Sequence, residues 1–181
     1  KDEVFTGLSK YLVDEQVVDS FYAGEDIFAD KEEIRLQPNQ YVMLVSNSND
    51  KKTALARFYK YNDPLVKMYK MDDVWGIDAR NKEQSFALEL LMDPDVEVVS
   101  LIGQAGSGKT LLAVAAGLEQ VLGDDNEYKK LIVSRPIQPL GKDIGFLPGT
   151  LEEKMDPWLM PIKDNLEFLL GNDRDTVKMY F

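Results

Sequence analysis

Residues 99–118 read VSLIGQAGSGKTLLAVAAGL, an apolar run interrupted by three close glycines, one lysine and one threonine. The segment before the glycines, residues 97–102, has the length and β-branched content of a buried strand, and residues 110–122 have the apolar spacing of a buried helix. Residues 103–110 match the spacing G-x-x-x-x-G-K-[ST], which forms a phosphate-binding loop when it joins a strand to a helix. The stretch therefore predicts an α/β domain with an anion site at a strand–helix junction.

The residue types in this loop suit phosphate chemistry. Glycines let the backbone turn tightly and aim N–H groups at phosphate oxygens, and the helix N-terminus adds unpaired donors. Lys109 is expected to neutralise the β- and γ-phosphates and the Thr110 hydroxyl to bind Mg²⁺, so these two are the predicted catalytic residues. The plainer alternative is a glycine-rich turn with a solvated lysine. The predicted nucleotide contacts are Gly103, Gln104, Ala105, Gly106, Ser107, Gly108, Lys109, Thr110 and Leu111.

The segment Asn81-Lys82-Glu83-Gln84 allows two interpretations. Asn81 can be the N-cap of a helix over residues 81–92, with Gln84 reaching back to the first turn as in a capping box. The Gln84 amide can also donate to N7 of adenine and accept from its N6 amine. The local sequence leaves both roles open.

A change of pattern at residues 71–78, MDDVWGID, predicts two parts. Residues 1–74 alternate apolar segments and polar turns around one helix, residues 15–22, and are expected to form a small β-rich domain. Its predicted strands are 40–45, 54–61 and 65–69. Residues 75–181 contain a second short apolar strand at 131–134, and the order strand, helix, strand predicts a parallel sheet with crossover helices.

Three segments after the loop keep more than one interpretation. Arg135 follows the second predicted strand, where it is a surface residue or a contact to phosphate or nucleic acid, since ligands gather at the carboxyl ends of such strands. Residues 141–149, GKDIGFLPG, form a contact loop or a packed turn. Residues 151–170 have helical apolar spacing, which predicts a core helix broken by Pro157 and Pro161, or a subunit interface.

The composition excludes several classes of site. The chain has no cysteine and no histidine, which rules out disulfides, thiolate metal sites and histidine-based catalysis. The net charge is −11 and neither half of the chain is basic, so a nucleic-acid partner must bind a local patch. No apolar run reaches the roughly 18 residues of a membrane span. We expect a soluble cytoplasmic protein without a membrane partner.

One expected part of a nucleotide site has no counterpart in the pattern. Phosphate-loop NTPases hold Mg²⁺ with a second acidic residue at the end of an apolar strand, the Walker B carboxylate. No apolar strand after Thr110 ends in Asp or Glu. We therefore expect either a chain cut inside its ATPase domain or a degraded ATPase.

Three stretches together resemble the PhoH-like ATPases: GQAGSGKTLLAVAAGLEQ, LIVSRP and GKDIGFLPGTLEEKMDPWLMPI. The last is the most specific, because the phosphate-binding loop occurs in many families. The resemblance covers about residues 75–170. Residues 1–74, running into VWGIDARNKEQSFALELL, are similar to the connecting segment of the PIN–PhoH fusion proteins, and the PIN nuclease domain itself has no counterpart in this sequence.

The resemblance implies a RecA-like P-loop NTPase with a three-layer α/β/α core, with ATP and Mg²⁺ as cofactors. It also implies ATP hydrolysis coupled to RNA, and ring-like homo-oligomers. Residues 81–84 are similar to a helicase Q motif, which favours the adenine role for Gln84. Ser134-Arg135-Pro136 is similar to the family's Thr-Arg-Pro, and serine keeps the hydroxyl.

Two other function classes use the same loop. A small-molecule kinase would need an arginine-bearing lid, and only Arg135 and Arg174 follow the loop. A binding module without turnover would use the nucleotide as a structural ligand and residues 1–74 as an interaction surface.

Overall fold

The structure is a computed structural model that describes residues 6–71, 73–124, 127–134 and 151–171, with the backbone alone for 151–158. The chain divides into two units, Lys1–Lys70 and Met71–Phe181, called here the N-terminal and C-terminal units. None of the helices in the described ranges combines the length and apolar composition that crossing a bilayer requires.

The N-terminal unit is a four-stranded sheet with one helix packed on it. Its elements are β1 (Leu8–Val13), α1 (Glu15–Tyr22), β2 (Gln40–Ser46), β3 (Thr53–Phe58) and β4 (Val66–Lys67). The strand order is β1-β2-β3-β4, with β1 parallel to β2 and the remaining pairs antiparallel. The core of this unit joins α1 to alternate strand residues through Val18, Phe21, Val42, Leu44, Ala54, Ala56 and Phe58.

The sequence predicted most of these elements. The bounds predicted for α1 are confirmed, and β2 and β3 lie within three residues of their predicted ends. β4 is shorter than the predicted 65–69. The parallel strand β1 was not predicted, because the alternation in LSKYLV is too short and too polar to distinguish a strand from a loop.

The described part of the C-terminal unit contains three helices: α2 (Lys82–Met92), α3 (Lys109–Leu122) and α4 (Leu151–Leu169). The helix α3 packs on two sides, which explains why its sequence is apolar nearly all round. One side contacts α2 in a cluster that includes Leu88, Leu112 and Ala116. The other side contacts α4 in a cluster formed by Val114, Leu118, Ile162 and Leu166.

The two strands predicted around α3 are not formed in the described residues. Residues 97–102 and 131–134 do not form strands, and Val98, Ile102 and Ile132 are 83%, 86% and 74% exposed. A strand needs a neighbour to accept from its N–H groups and donate to its carbonyls, and in the described ranges neither segment has one. The predicted parallel sheet of a three-layer domain is therefore absent from this part of the structure.

The prediction that prolines break the last helix was wrong. The backbone of α4 is helical from residue 151 to residue 169, through positions 157 and 161. A proline in a helix costs about 3 kcal/mol through the lost hydrogen bond and the ring clash. Ile162 and Leu166 are buried against α3, and each such side chain contributes roughly 1.5–3 kcal/mol. Packing against α3 thus offsets the local penalty, and this half of the helix is a core element as predicted.

Candidate phosphate-binding site

The loop formed by residues 103–110 turns through two glycines with left-handed backbone angles. Gly106 has φ 78° and Gly108 has φ 87°, a region that residues with a Cβ rarely adopt. Ser107 lies between them, and its N–H donates to the Gln104 carbonyl at 3.3 Å. Gly103 is also closely approached, because a Cβ there would lie 3.1 Å from Ser107 Oγ. The glycine spacing thus produces the tight turn that the sequence predicts.

The first turn of α3 follows this loop directly and supplies free donors. Gly108 is the N-cap, and the first helical hydrogen bond runs from the Leu112 N–H to the Gly108 carbonyl at 2.9 Å. The N–H groups of Lys109, Thr110 and Leu111 precede that bond, so they have no partner within the helix. These donors and the positive end of the helix dipole favour an anion at this end of α3.

The Lys109 ammonium lies inside the loop. Its Nζ donates to the carbonyls of Gly103 at 3.0 Å and Gln104 at 2.7 Å, and to Ser107 Oγ at 3.3 Å. These neutral acceptors hold the positive charge among the loop's backbone without cancelling it. A phosphate placed over the loop would meet a fixed cation and the N–H groups of α3 together.

The other predicted loop residues are at the surface. Gln104, Ala105 and Thr110 are exposed, so the Thr110 hydroxyl is accessible to an ion. A hydroxyl beside a triphosphate is a usual Mg²⁺ ligand in loops of this spacing. The described residues contain no cluster of three acidic side chains placed to hold a metal. Arg135 and residues 141–149 lie outside the described residues.

Asn81 caps α2, and Gln84 links that cap to the loop. The Asn81 side chain accepts from the Gln84 N–H at 2.8 Å, as the capping interpretation predicted. The Gln84 side chain differs from a capping box, since its Oε1 accepts from the Arg80 N–H at 2.8 Å. Its Nε2 donates to the Ser107 carbonyl at 3.2 Å. Sequence reasoning missed this last contact, because no local signal relates positions 84 and 107. The adenine role of Gln84 remains a prediction.

A tight turn contacts α3 near the end of the helix that lies away from the loop. The turn between Val74 and Ile77 places the backbone N–H of Trp75 at 2.8 Å from Glu119 Oε2, near the C-terminal end of α3. The Trp75 indole N–H donates to the Leu169 carbonyl at 3.1 Å, at the end of α4. Sequence analysis identified this segment only as a boundary. The turn fixes α3 against α4, and therefore supports the helix that carries the loop.

Comparisons with known proteins match the same part of the chain. The family model for PhoH-like proteins matches residues 76–180, more than half of the sequence. Protein PhoH2 of Bacillus subtilis (strain 168) is 44% identical over 172 residues, which are 94% of this chain and 39% of that protein. Protein PhoH2 of Thermobispora bispora is 44% identical over 58% of this chain and 24% of its own length. Protein PhoH2 of Mycolicibacterium smegmatis is 47% identical over 54% of this chain and 22% of its own length.

The chain thus spans about two fifths of the Bacillus relative and about a quarter of the other two. The alignment with the Bacillus protein is longer than the family-model match, so it includes residues of the N-terminal unit. No solved structure matches the chain.

Proposed function

The chain belongs to the family of PhoH-like proteins, and from this membership we propose that it binds ATP with Mg²⁺ at residues 103–110 and takes part in ATP hydrolysis coupled to RNA. The observation that carries the proposal is the junction of the loop with α3. There the left-handed Gly108, the Lys109 ammonium and the free N–H groups of the first helical turn converge on one side of the backbone. This combination suits a polyphosphate far better than a neutral ligand.

In the proposed complex each group has a separate role. The N–H groups at the start of α3 donate to phosphate oxygens, and Lys109 exchanges its contacts with the Gly103 and Gln104 carbonyls for the β- and γ-phosphates. The Thr110 hydroxyl holds Mg²⁺, which neutralises phosphate charge when bound. The Gln84 amide contacts adenine. Hydrolysis would proceed by in-line attack of water on the terminal phosphate, with the developing charge stabilised by Lys109.

The proposal extends to the fold. A RecA-like core would place residues 97–102 and 131–134 side by side in a parallel sheet next to α3. What supports this is their composition, since both are short apolar runs with exposed side chains on either side of a phosphate-loop helix. Such runs are typical of strands buried on both faces.

The remaining parts of the proposal concern partners. RNA, ring-like homo-oligomers and the relation to PIN–PhoH fusion proteins are proposed from the resemblance of the sequence stretches. The alignment with the Bacillus relative, which extends into the N-terminal unit, supports a shared arrangement of that unit and the nucleotide site along the chain. Arg135 remains the proposed contact to nucleic acid or phosphate in the C-terminal unit.

The test is phosphate release from ATP and Mg²⁺ by the full-length protein, with and without single-stranded RNA, because no apolar strand after Thr110 of this chain ends in the acidic residue that holds Mg²⁺. We expect release that RNA stimulates in the full-length wild-type protein and that falls to background in its Lys109→Ala variant, because this variant loses the cation that contacts the transferred phosphate. Lys130→Ala, which removes an exposed lysine outside the loop, is the matched control and should behave as wild type. Phosphate release that persists in Lys109→Ala, or that RNA does not stimulate, would contradict the proposal.

A further inference from the structure

Two tyrosines and a lysine form an exposed patch on the N-terminal unit. Lys67 Nζ lies 5.1 Å from the ring centroid of Tyr22 and 5.4 Å from that of Tyr69. Tyr22 is 55% exposed and Tyr69 is 71% exposed, and the Lys67 side chain is exposed as well. We call these three residues the tyrosine–lysine patch. What distinguishes them from the other exposed side chains is that both rings lie against the same lysine ammonium.

The fold brings the three residues together at one edge of the sheet. Lys67 lies in β4, the edge strand, opposite Ala56 of β3. Ala56 faces the core beneath α1, and Tyr22 is the last residue of that helix. Tyr69 lies two residues after Lys67, just beyond the end of β4, and its ring centroid is 5.4 Å from Lys67 Nζ.

The Tyr22 ring is held in a fixed orientation before any ligand arrives. Its hydroxyl donates to the Thr53 carbonyl at 2.8 Å, and its ring makes an edge contact with Phe21 at 6.0 Å between centroids. A ring fixed in this way loses little entropy when a planar group stacks on it.

Within the described residues, no carboxylate compensates the charge of Lys67. Elsewhere in this unit Lys52 pairs with Glu15 and Asp19, and Lys60 pairs with Asp63. Across the described part of the chain, no acidic side chain lies within 4.0 Å of the Lys67 ammonium. Its neighbours are the two aromatic faces, which attract a cation without neutralising it. Lys67 is therefore available to an anion although the whole chain carries a net charge of −11.

Exposed aromatic faces beside an uncompensated cation match one class of ligand. Bases stack on aromatic rings and phosphates pair with the adjacent cation, and the unstacked bases of a single strand offer both groups together. A duplex hides its base faces, and an apolar protein segment would leave the ammonium without a partner. We propose that the tyrosine–lysine patch binds single-stranded nucleic acid. This deepens the proposed function by giving the strand a contact on the N-terminal unit, and it rests on that proposal only for the link to ATP hydrolysis.

The experiment measures binding to the full chain by fluorescence anisotropy, without nucleotide, so that a failure here leaves the nucleotide proposal untouched. The probes are fluorescein-labelled oligouridine and oligothymidine of about 12 nucleotides, within the site sizes of single-strand binders, and an RNA duplex of the same length. The variants are Tyr69→Ala, Tyr69→Phe and Lys67→Gln. Lys31→Gln is the matched control, because Lys31 also lies over an aromatic ring, that of Phe28 at 4.5 Å, but within the acidic run Asp-Lys-Glu-Glu.

We expect the wild-type chain to bind a single strand more tightly than the duplex. Tyr69→Ala should weaken that binding roughly 5- to 100-fold while Tyr69→Phe retains it, since stacking needs the ring and not the hydroxyl. Lys67→Gln should reduce the slope of log affinity against log salt by about 0.7, the value for one phosphate contact on a single strand. Lys31→Gln should match wild type. Preference for either oligonucleotide supports the proposal.

Three results would overturn the proposal: unchanged affinity in both Tyr69→Ala and Lys67→Gln, tighter binding of the duplex, or no binding by the wild-type chain. A native mass that changes in Tyr69→Ala without a loss of strand binding would assign the patch to contacts between copies of the chain instead. Thermal unfolding of each variant checks that the fold persists. The salt slope of Lys67→Gln is a readout that a merely structural role would not move.

Discussion

Gly108 meets three requirements at one position. Its φ of 87° belongs to the left-handed region, and it is the N-cap from which α3 begins. A Cβ there would lie 3.2 Å from Gln84 Nε2, so the residue also permits the approach of the Gln84 amide to the Ser107 carbonyl. Glycine is therefore needed for the backbone geometry and for the contact between Gln84 and Ser107. The loop motif predicts only the backbone geometry.

Gln84 is expected to act on the loop as well as on the base. Gln84→Ala removes the hydrogen bond to the Ser107 carbonyl, and a bond of this kind stabilises the loop conformation by about 1 kcal/mol. Its loss reduces the population of the binding-competent loop, which lowers affinity by at most roughly fivefold. We predict that this variant weakens binding of ATP, GTP and inorganic triphosphate alike, with a further loss for ATP through the adenine contact. Equilibrium titration with the three ligands measures both effects.

Glu83→Ala, which changes the neighbouring exposed residue of α2, is the control for the Gln84 variant. If Gln84→Ala lowers the affinity for ATP alone, Gln84 has no role in holding the loop. If the affinities for ATP and GTP fall equally, Gln84 does not recognise adenine. Unchanged binding of all three ligands in Gln84→Ala would contradict both.

At the scale of elements, a cluster of side chains ties α1 to the turn between β2 and β3. Lys52 pairs with Glu15 at 2.8 Å and with Asp19 at 2.6 Å, one turn apart on α1. Hydrogen bonds from Lys52 and Ser48, and the charge of Lys52, lower the pKa of Glu15 below its ordinary 4.5. Hydrogen bonds to Asp19 and then Glu15 raise the pKa of Lys52 above 10.5. The ionised forms are thus favoured by folding.

This cluster predicts a dependence of stability on pH at both ends of the scale. The contribution through Glu15 is present above its unfolded pKa and disappears as the pH falls through the lower folded pKa. The contribution through Lys52 is present below 10.5 and disappears as the pH rises through the higher folded pKa. We predict that Lys52→Met lowers the urea midpoint at neutral pH, and that its difference from wild type shrinks in acid and in alkali.

Lys51→Met is the matched control for that measurement, since the described residues show no ion pair for this exposed lysine. It should leave the urea midpoint close to wild type throughout. A constant difference between Lys52→Met and wild type at every pH would show that packing of the side-chain stem, and not its charge, holds α1 to the turn.

Helices whose caps and apolar spacing lie within a few residues could be predicted from the sequence, whereas elements that depend on distant neighbours could not. The helices α1, α2 and α3 have their predicted bounds within one residue, because caps and apolar spacing act over one or two turns. Residues 97–102 and 131–134 have the composition of strands but depend on neighbours that the sequence does not specify. The helix α4 persists through its prolines because α3 supplies packing from a distant part of the chain.

In the molecule as a whole, the phosphate-binding loop is formed by one short stretch of sequence, whereas the residues that hold the loop and α3 in place are spread along the chain. The contact between Gln84 and Ser107 spans 23 positions. Those of Trp75 with Glu119 and Leu169 span 44 and 94. Motif spacing therefore located the candidate site, but the groups that hold it could be found only from the structure. The N-terminal unit has its own core and carries the tyrosine–lysine patch, for which the sequence analysis had identified no residues.

The proposed function depends on binding of a nucleoside triphosphate through Lys109 at the junction of the loop and α3. Equilibrium titration of ATP with Mg²⁺ into the wild-type chain, Lys109→Ala and Lys130→Ala measures this binding. We predict one saturable site per chain in wild type and Lys130→Ala. In Lys109→Ala the affinity should fall roughly 10- to 100-fold, the loss expected for a hydrogen bond to a charged group. Equal affinity in Lys109→Ala and wild type would contradict the proposed function.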